Sequence, residues 1–152
     1  MRTGRVLVFG LLVTLFFLGH FEIASAVTIT NGTINQSLSD QAGDPIRGRA
    51  IVLSRQTGLC ILCHNGPFPE EQFQGNLAPE LGASVAQYSS AQLRARLVNP
   101  AYFNPNTIMP AYYQTEGLTR VAPKYAGQTI LTGQEIEDVI AFLETMKSQS
   151  TK

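Results

Sequence analysis

The sequence predicts an all-α domain in which a few helices are joined by long, proline-rich loops. Helix caps and apolar residues at helical spacing mark several short segments, and no segment shows the polar–apolar alternation of a β-strand. The connecting stretches are long, running from residue 65 to 87 and from 101 to 130. Loops of this length are uncommon in a small domain. They become acceptable if something other than protein fills the centre of the fold.

The N-terminal residues 1–26 have the features of a secretory signal peptide. Arg2 and Arg5 precede an apolar run over residues 6–19, and the stretch ends in the small-residue triplet Ala-Ser-Ala at 24–26. The run is shorter than the ~20 apolar residues that a membrane-spanning helix needs. We therefore expect export and cleavage after Ala26. An uncleaved membrane anchor is the alternative.

Composition limits the classes of partner. The full chain of 152 residues carries 11 Lys and Arg against 11 Asp and Glu, so its net charge is zero. No strong basic or acidic field therefore points to nucleic acid or to a membrane surface. After the signal peptide, the sequence predicts a polar arm over residues 27–43 and one domain over 44–152.

The first predicted helix starts at the pair Asp44-Pro45, a capping acid followed by proline at the first helical position. We expect it to run through the stretch IRGRAIVLSRQ and to end near Gly58. Gly48 lies inside this helix, where glycine costs about 1 kcal/mol relative to alanine. Either a second helix backbone approaches closely there, or Gly48 is a tolerated surface residue.

Two further helices are predicted. The stretch SSAQLRARLVNP is a short helix with Ser89 or Ser90 as its cap and Pro100 at its end, and residues 65–87 contain at most a short helical turn. The last helix opens with a capping box formed by Thr132 and Glu135. Its apolar residues recur at helical spacing and predict one buried face: Ile136, Val139, Ile140, Leu143 and Met146.

One motif indicates the chemistry. The stretch GLCILCHNG holds Cys60 and Cys63, the only two cysteines of the chain, and His64 follows directly. C-x-x-C-H is the attachment signature of c-type haem. Cysteines three apart on a helical turn lie on one face and can form thioethers with the two vinyl groups of the porphyrin. The histidine then lies under the iron. The sequence thus predicts one covalently bound haem c, which would also fill the centre of the fold.

Two other roles for this motif fit less well. A redox-active C-x-x-C, as in thioredoxin-like proteins, is expected in a βαβ context that the flanking sequence lacks. A structural zinc site would be short of its fourth ligand with one histidine and two cysteines.

The second axial ligand of the iron is predicted from the methionines. His64 is the only histidine outside the signal peptide, and methionine is a common partner of histidine in cytochromes c. Met146 falls on the apolar face of the last helix, where packing is its expected role. Met109 lies in the loop NPNTIMPAYY and is our predicted distal ligand, with plain packing as the alternative. Pro79 is a candidate to offer its carbonyl to His64, or it is a simple loop proline.

Arginines are candidates to bind the carboxylates of the haem. Arg94, Arg96 and Arg120 are suitable by charge, although a solvated surface position is the commoner role for arginine.

With these residues identified, the chain resembles a class I cytochrome c. More narrowly, it resembles the SoxX family, the monohaem subunit of the SoxAX cytochrome of sulfur-oxidising bacteria. The matching stretches lie between Gly43 and Lys147 and are GDPIRGRAIVLSRQTGLCILCHNGPFPEEQFQGNLAPELG, LRARLVNP, NPNTIMPAYY and ILTGQEIEDVIAFLETMK. C-x-x-C-H alone indicates only a c-type cytochrome, whereas CHNGPFPEEQFQG and the NPNTIMPAYY loop narrow the resemblance. Residues 27–42 carry no match.

The resemblance implies a role in the periplasm. A SoxAX complex couples thiosulfate oxidatively to a cysteine of the carrier protein SoxYZ, and the SoxX-type subunit passes the released electrons to a downstream acceptor. It implies that Cys60 and Cys63 hold the haem, that His64 and Met109 are the axial ligands, and that a SoxA-like haem subunit is the partner. The residues themselves support one part of this role, electron transfer without sulfur chemistry, because no thiolate remains as a nucleophile once the haem is attached. A free monohaem electron shuttle and a thiol–disulfide oxidoreductase are the rival functions.

Overall fold

The structure, a computed structural model, describes residues 27–119 and 121–147; the predicted signal peptide and Arg120 lie outside the described residues. Within that part the chain forms four α-helices: α1 Pro45–Leu53, α2 Leu81–Val85, α3 Ser90–Val98 and α4 Gly133–Lys147. Short 3₁₀ turns occur at Cys60–Leu62, Pro100–Tyr102 and Pro123–Tyr125. No strand occurs among these residues beyond an isolated bridge, which confirms the predicted all-α class. No described helix is both long enough and apolar enough to cross a membrane.

The start of α1 is confirmed and its predicted end is wrong. The Asp44 carboxylate accepts hydrogen bonds from the first backbone N–H groups of the helix, as a cap should. The helix ends at Leu53 and not near Gly58, because the Ser54 hydroxyl accepts bonds from two backbone N–H groups that follow it. The N–H of Leu59 then donates to the Ser54 carbonyl at 2.9 Å. This local turn replaces the next turn of helix.

The other helix starts follow the predicted caps. Ser89 and Gln92 form a reciprocal capping box at α3. Thr132 and Glu135 do the same at α4, since each backbone N–H donates to the other's side chain. The short helix α2 falls within the 65–87 stretch, and Glu80 caps it.

Helix α4 is the centre of the packing. It contacts α1, α2 and α3. Its apolar face is buried as the spacing predicts, and Met146 is only 3% exposed there. The main core combines this face with residues from the other three helices and from the loops: Val52, Ile61, Phe68, Leu81, Val85, Leu93, Leu97, Tyr112 and Leu131.

Helices α1 and α4 touch at their backbones. A Cβ atom on Gly48 would lie 1.9 Å from the carbonyl oxygen of Asp138, and one on Gly43 would lie 2.2 Å from the carbonyl oxygen of Glu137. Real Cβ atoms do not approach backbone oxygens so closely. Of the two roles open to Gly48, close helix approach is therefore the one that the structure supports.

A buried carboxylate joins the same two helices. Asp138 is 2% exposed and accepts hydrogen bonds from the Arg47 guanidinium at 2.7 and 2.8 Å and from the Asp44 backbone at 2.8 Å. Burial alone would raise the pKa of Asp138, but the bonds from Arg47 and the Asp44 backbone outweigh it and hold the pKa below its ordinary value. The carboxylate therefore stays charged and fixes the start of α1 against α4.

The polar arm over residues 27–43 packs against the helices. Ile34 is buried with Ala95 and Val98 of α3. The Arg94 guanidinium pairs with Glu137 at 2.7 and 2.8 Å and also donates to the Ile34 carbonyl at 2.7 Å. Because both partners of this pair are buried, Arg94 serves to dock the arm and is not a surface residue.

Replacing Gly48 with alanine tests the helix contact. Gly48→Ala should lower the free energy of unfolding by about 2 kcal/mol or more, because the added methyl group collides with backbone that cannot rotate away. Denaturant unfolding of the holoprotein measures this. Gly82→Ala in α2 is the matched control, since its Cβ meets only the movable Glu80 side chain, at 3.2 Å. Equal stabilities of the two variants would contradict the close contact.

Candidate haem site

The C-x-x-C-H motif forms a tight turn anchored in the core. Backbone N–H groups of Cys63 and His64 both donate to the carbonyl of Cys60, at 3.1 and 2.9 Å. Ile61, between the cysteines, is fully buried and holds the turn against the core. The turn thus brings both thiols and the imidazole to one side, as the spacing predicts.

A strained residue precedes this turn. Leu59 adopts a left-handed conformation with φ of 62°, which costs an L-residue on the order of 1–2 kcal/mol. Its carbonyl accepts from the N–H of Leu62 at 3.1 Å, so the motif turn itself helps to hold the strain. Gly58 precedes it, and a Cβ there would lie 2.2 Å from the carbonyl oxygen of Ile51. Sequence reasoning missed Leu59, because leucine carries no signal for a left-handed position.

The loop after the motif folds back against it. The Gln74 side chain accepts from the Gly66 N–H at 2.7 Å and donates to the Phe68 carbonyl at 2.8 Å, which closes the loop on itself. The N–H of Ala78 then donates to the Cys63 carbonyl at 3.0 Å. This carries Pro79 alongside His64. Gln74 was not among the predicted residues, since its role depends on the folded loop.

His64 is oriented by a backbone carbonyl. Its Nδ1 lies 2.6 Å from the carbonyl oxygen of Pro79. A carbonyl only accepts, so Nδ1 carries a proton, and in the neutral imidazole Nε2 is then the nitrogen available to a metal ion. Metal-ligating histidines commonly have this arrangement.

One cavity collects the predicted residues. It measures about 630 Å³, within the range of small-molecule sites, and Cys60, Cys63, His64, Pro79 and Met109 all line it. The rest of its wall is mainly apolar and comes from the loops and from all four helices, including Val52, Leu81, Leu93, Leu97, Val139 and Leu143. Two thiols, an imidazole with a free nitrogen and a thioether around an apolar space are the groups that a c-type haem requires. The residues present fit the haem.

The two methionines have different surroundings. Met109 is half-buried, and its N–H donates to the Thr107 hydroxyl at 3.1 Å, so a local turn holds its loop. The loop brings Met109 to the same cavity as His64. Met146 is buried in the core and does not line that cavity. Ligation of iron by Met109 remains a prediction.

Tyr112 ties the Met109 loop to the motif. Its hydroxyl donates to the carbonyl of Gly58 at 2.6 Å, and its ring is buried in the cavity wall. Its N–H donates to the Leu97 carbonyl at 3.0 Å, and its own carbonyl accepts from Ile130 and Leu131. One side chain thereby joins the two halves of the site. Apart from an aromatic residue near Met109, no feature of the sequence indicates this role.

The environment of the first cysteine opposes thiol chemistry. Burial raises the pKa of the Cys60 thiol to about 11. Reactive cysteines have a lowered pKa, because the thiolate is the nucleophile. The absence of any strand among the described residues also removes the βαβ context of a thioredoxin-like protein. Both observations count against a thiol–disulfide oxidoreductase.

The comparisons with known proteins support a cytochrome. The chain superimposes on a chain of a solved structure described as the crystal structure of SoxXA from P. pantotrophus, with a TM-score of 0.72 and 33% sequence identity. The match covers 80% of this chain and 94% of that one. It confirms the class I cytochrome c fold that the sequence predicts. No family model and no curated protein matches the chain.

Tyr112→Phe tests the tie between the two loops. The Gly58 carbonyl accepts from the Tyr112 hydroxyl and, at 3.4 Å, from the Cys60 thiol, which has no proton to donate once it is a thioether. In the holoprotein, loss of the hydroxyl therefore leaves this carbonyl unpaired, and the free energy of unfolding should fall by about 1–3 kcal/mol. The adjacent Tyr113→Phe is the control, because the structure records no hydrogen bond of that hydroxyl within the described residues. Denaturant unfolding of both holoproteins gives the difference, and an unchanged Tyr112→Phe protein would contradict the tie.

Proposed function

Because this chain belongs to the SoxX-like cytochrome family, we propose that it is the electron-transfer subunit of a SoxAX-type complex and carries one covalent haem c. The observation that carries the proposal is the convergence of Cys60, Cys63, His64 and Met109 on one apolar cavity. The carbonyl of Pro79 supports it, since it fixes the imidazole as an iron ligand requires.

Each residue of the site has a defined task in this proposal. Cys60 and Cys63 hold the haem through thioethers, His64 is the proximal ligand and Met109 the distal ligand. The bound haem supplies reversible one-electron transfer. A thioether is a soft, neutral ligand that favours the ferrous state, so Met109 sets a comparatively high reduction potential. The apolar wall of the cavity excludes water, and this also raises the reduction potential.

The sulfur chemistry of such a complex belongs to its partners. With Cys60 and Cys63 bound to haem, no cysteine remains as a nucleophile, and His64 is not free to act as a base. We therefore infer that a SoxA-like haem subunit couples thiosulfate to a cysteine of a SoxYZ-like carrier in the periplasm. This chain accepts the electrons and passes them to a downstream cytochrome or other acceptor. In this proposal the chain by itself does not catalyse the L-cysteine S-thiosulfotransferase reaction.

Substitution of the two methionines tests the ligand assignment. Met109→Ala should abolish the weak near-infrared band of sulfur-to-iron ligation in the ferric protein and lower the reduction potential, while the haem stays attached. Met146→Leu is the matched control and should keep the band, since a volume-conserving core change costs under about 1.5 kcal/mol. Absorption spectra of both variants decide the matter. Loss of the band in Met146→Leu and its survival in Met109→Ala would overturn the assignment.

Purification from a sulfur-oxidising host tests the partner. A tagged chain should co-purify with a second haem protein in a constant ratio through ion exchange and gel filtration at moderate salt. A chain that elutes alone with its haem would contradict the subunit role and would indicate the free electron shuttle instead.

A further inference from the structure

The cavity contains one buried polar atom without a partner. Among the described residues, two buried side-chain atoms lack a hydrogen bond, Nε of Arg96 and Oδ1 of Asn99. Of these residues only Arg96 lines the cavity. Because buried donors are almost always paired in folded proteins, the Arg96 Nε–H indicates an acceptor that the polypeptide does not supply.

The position of the Arg96 side chain is set by aromatic rings. The guanidinium carbon lies 4.0 Å from the centre of the Tyr88 ring and 4.1 Å from that of Phe103. Cation–π contact with two rings stabilises this position of the guanidinium and restricts its motion. The N–H groups project from the edge of the guanidinium plane, so they remain free for a planar acceptor.

Charge points to the same kind of acceptor. Every other arginine in the described part of the chain pairs with a carboxylate: Arg47 with Asp138, Arg49 with Glu70, Arg55 with Glu71 and Arg94 with Glu137. Arg96 has no such partner there, and no acidic side chain lines the cavity. A partly buried cation in an apolar space is stabilised by an anion. These observations therefore indicate an anionic acceptor that comes from outside the polypeptide.

We propose that Arg96 binds a propionate carboxylate of the haem, an inference that rests on the proposed function. Arg94, two residues earlier on α3, is not available for this role, because its guanidinium already pairs with Glu137.

The contact between Arg96 and the propionate has a consequence for electron transfer. The positive charge of Arg96 offsets a negative charge near the iron, and in an apolar cavity this interaction is only weakly screened. Arg96 thus helps to keep the reduction potential high.

Arg96→Gln in the holoprotein tests the proposal by two readouts that do not depend on activity. Its midpoint potential should fall, and the propionate bending band in the resonance Raman spectrum should shift. Arg96→Lys keeps the charge but loses the planar fork, so its potential should fall less while the band still shifts. Arg49→Gln is the matched control, because Arg49 also lies near an aromatic ring, Phe68, but pairs with Glu70 outside the cavity.

The outcomes separate the two proposals. A haem-loaded Arg96→Gln protein with the potential and Raman band of the wild type would overturn the Arg96 inference and leave the cytochrome assignment standing. If the Arg96→Gln protein does not accumulate, the propionate bending band of Arg96→Lys tests the inference instead. A band at the wild-type position in Arg96→Lys would overturn it. A wild-type protein that carries no haem would overturn the proposed function itself.

Discussion

The long loops of this chain are ordered around one apolar cavity, and the rest of the fold depends on how that cavity is filled. Val139 and Leu143 of α4 face it from the core, while Leu62, Leu77 and Ile108 border it from the loops. Those three loop residues are exposed in the polypeptide alone. A bound porphyrin would remove apolar surface from water at about 25 cal/mol per Å², so binding and folding contribute to the same free energy.

The contact between α1 and α4 places the attachment motif on this cavity. Gly43 and Gly48 let the two backbones touch, and the bonds from Arg47 to Asp138 fix their register. The chain then needs only the Ser54 turn and the strained Leu59 to reach the first cysteine. A stable helix pair thus supports a local strain of on the order of 1–2 kcal/mol at the site. The wall of the cavity that contains Met109 depends on Tyr112, whose hydroxyl bonds the Met109 loop to Gly58, just before Leu59.

Local signals explain what could be predicted from the sequence. The caps at Asp44, Ser89 and Thr132 act within a few residues, and so does the C-x-x-C-H turn, which is why the helix starts and the motif geometry were found. Features that depend on distant packing were not accessible. The helix end at Leu53 results from competition by a serine side chain, and nothing in a sequence marks a leucine for positive φ. Arg94 and Arg96 are the same residue type two positions apart, and only their tertiary partners distinguish them.

We propose that one haem, bound through Cys60 and Cys63, completes this fold. The most direct measurement is the absorption spectrum of the purified exported protein before and after acid–acetone extraction, with a Cys60→Ser, Cys63→Ser double variant alongside. Thioether-bound haem should remain with the polypeptide after extraction, and the double variant should lose it. A protein without visible bands, or one that releases all of its haem into acid–acetone, would contradict the claim.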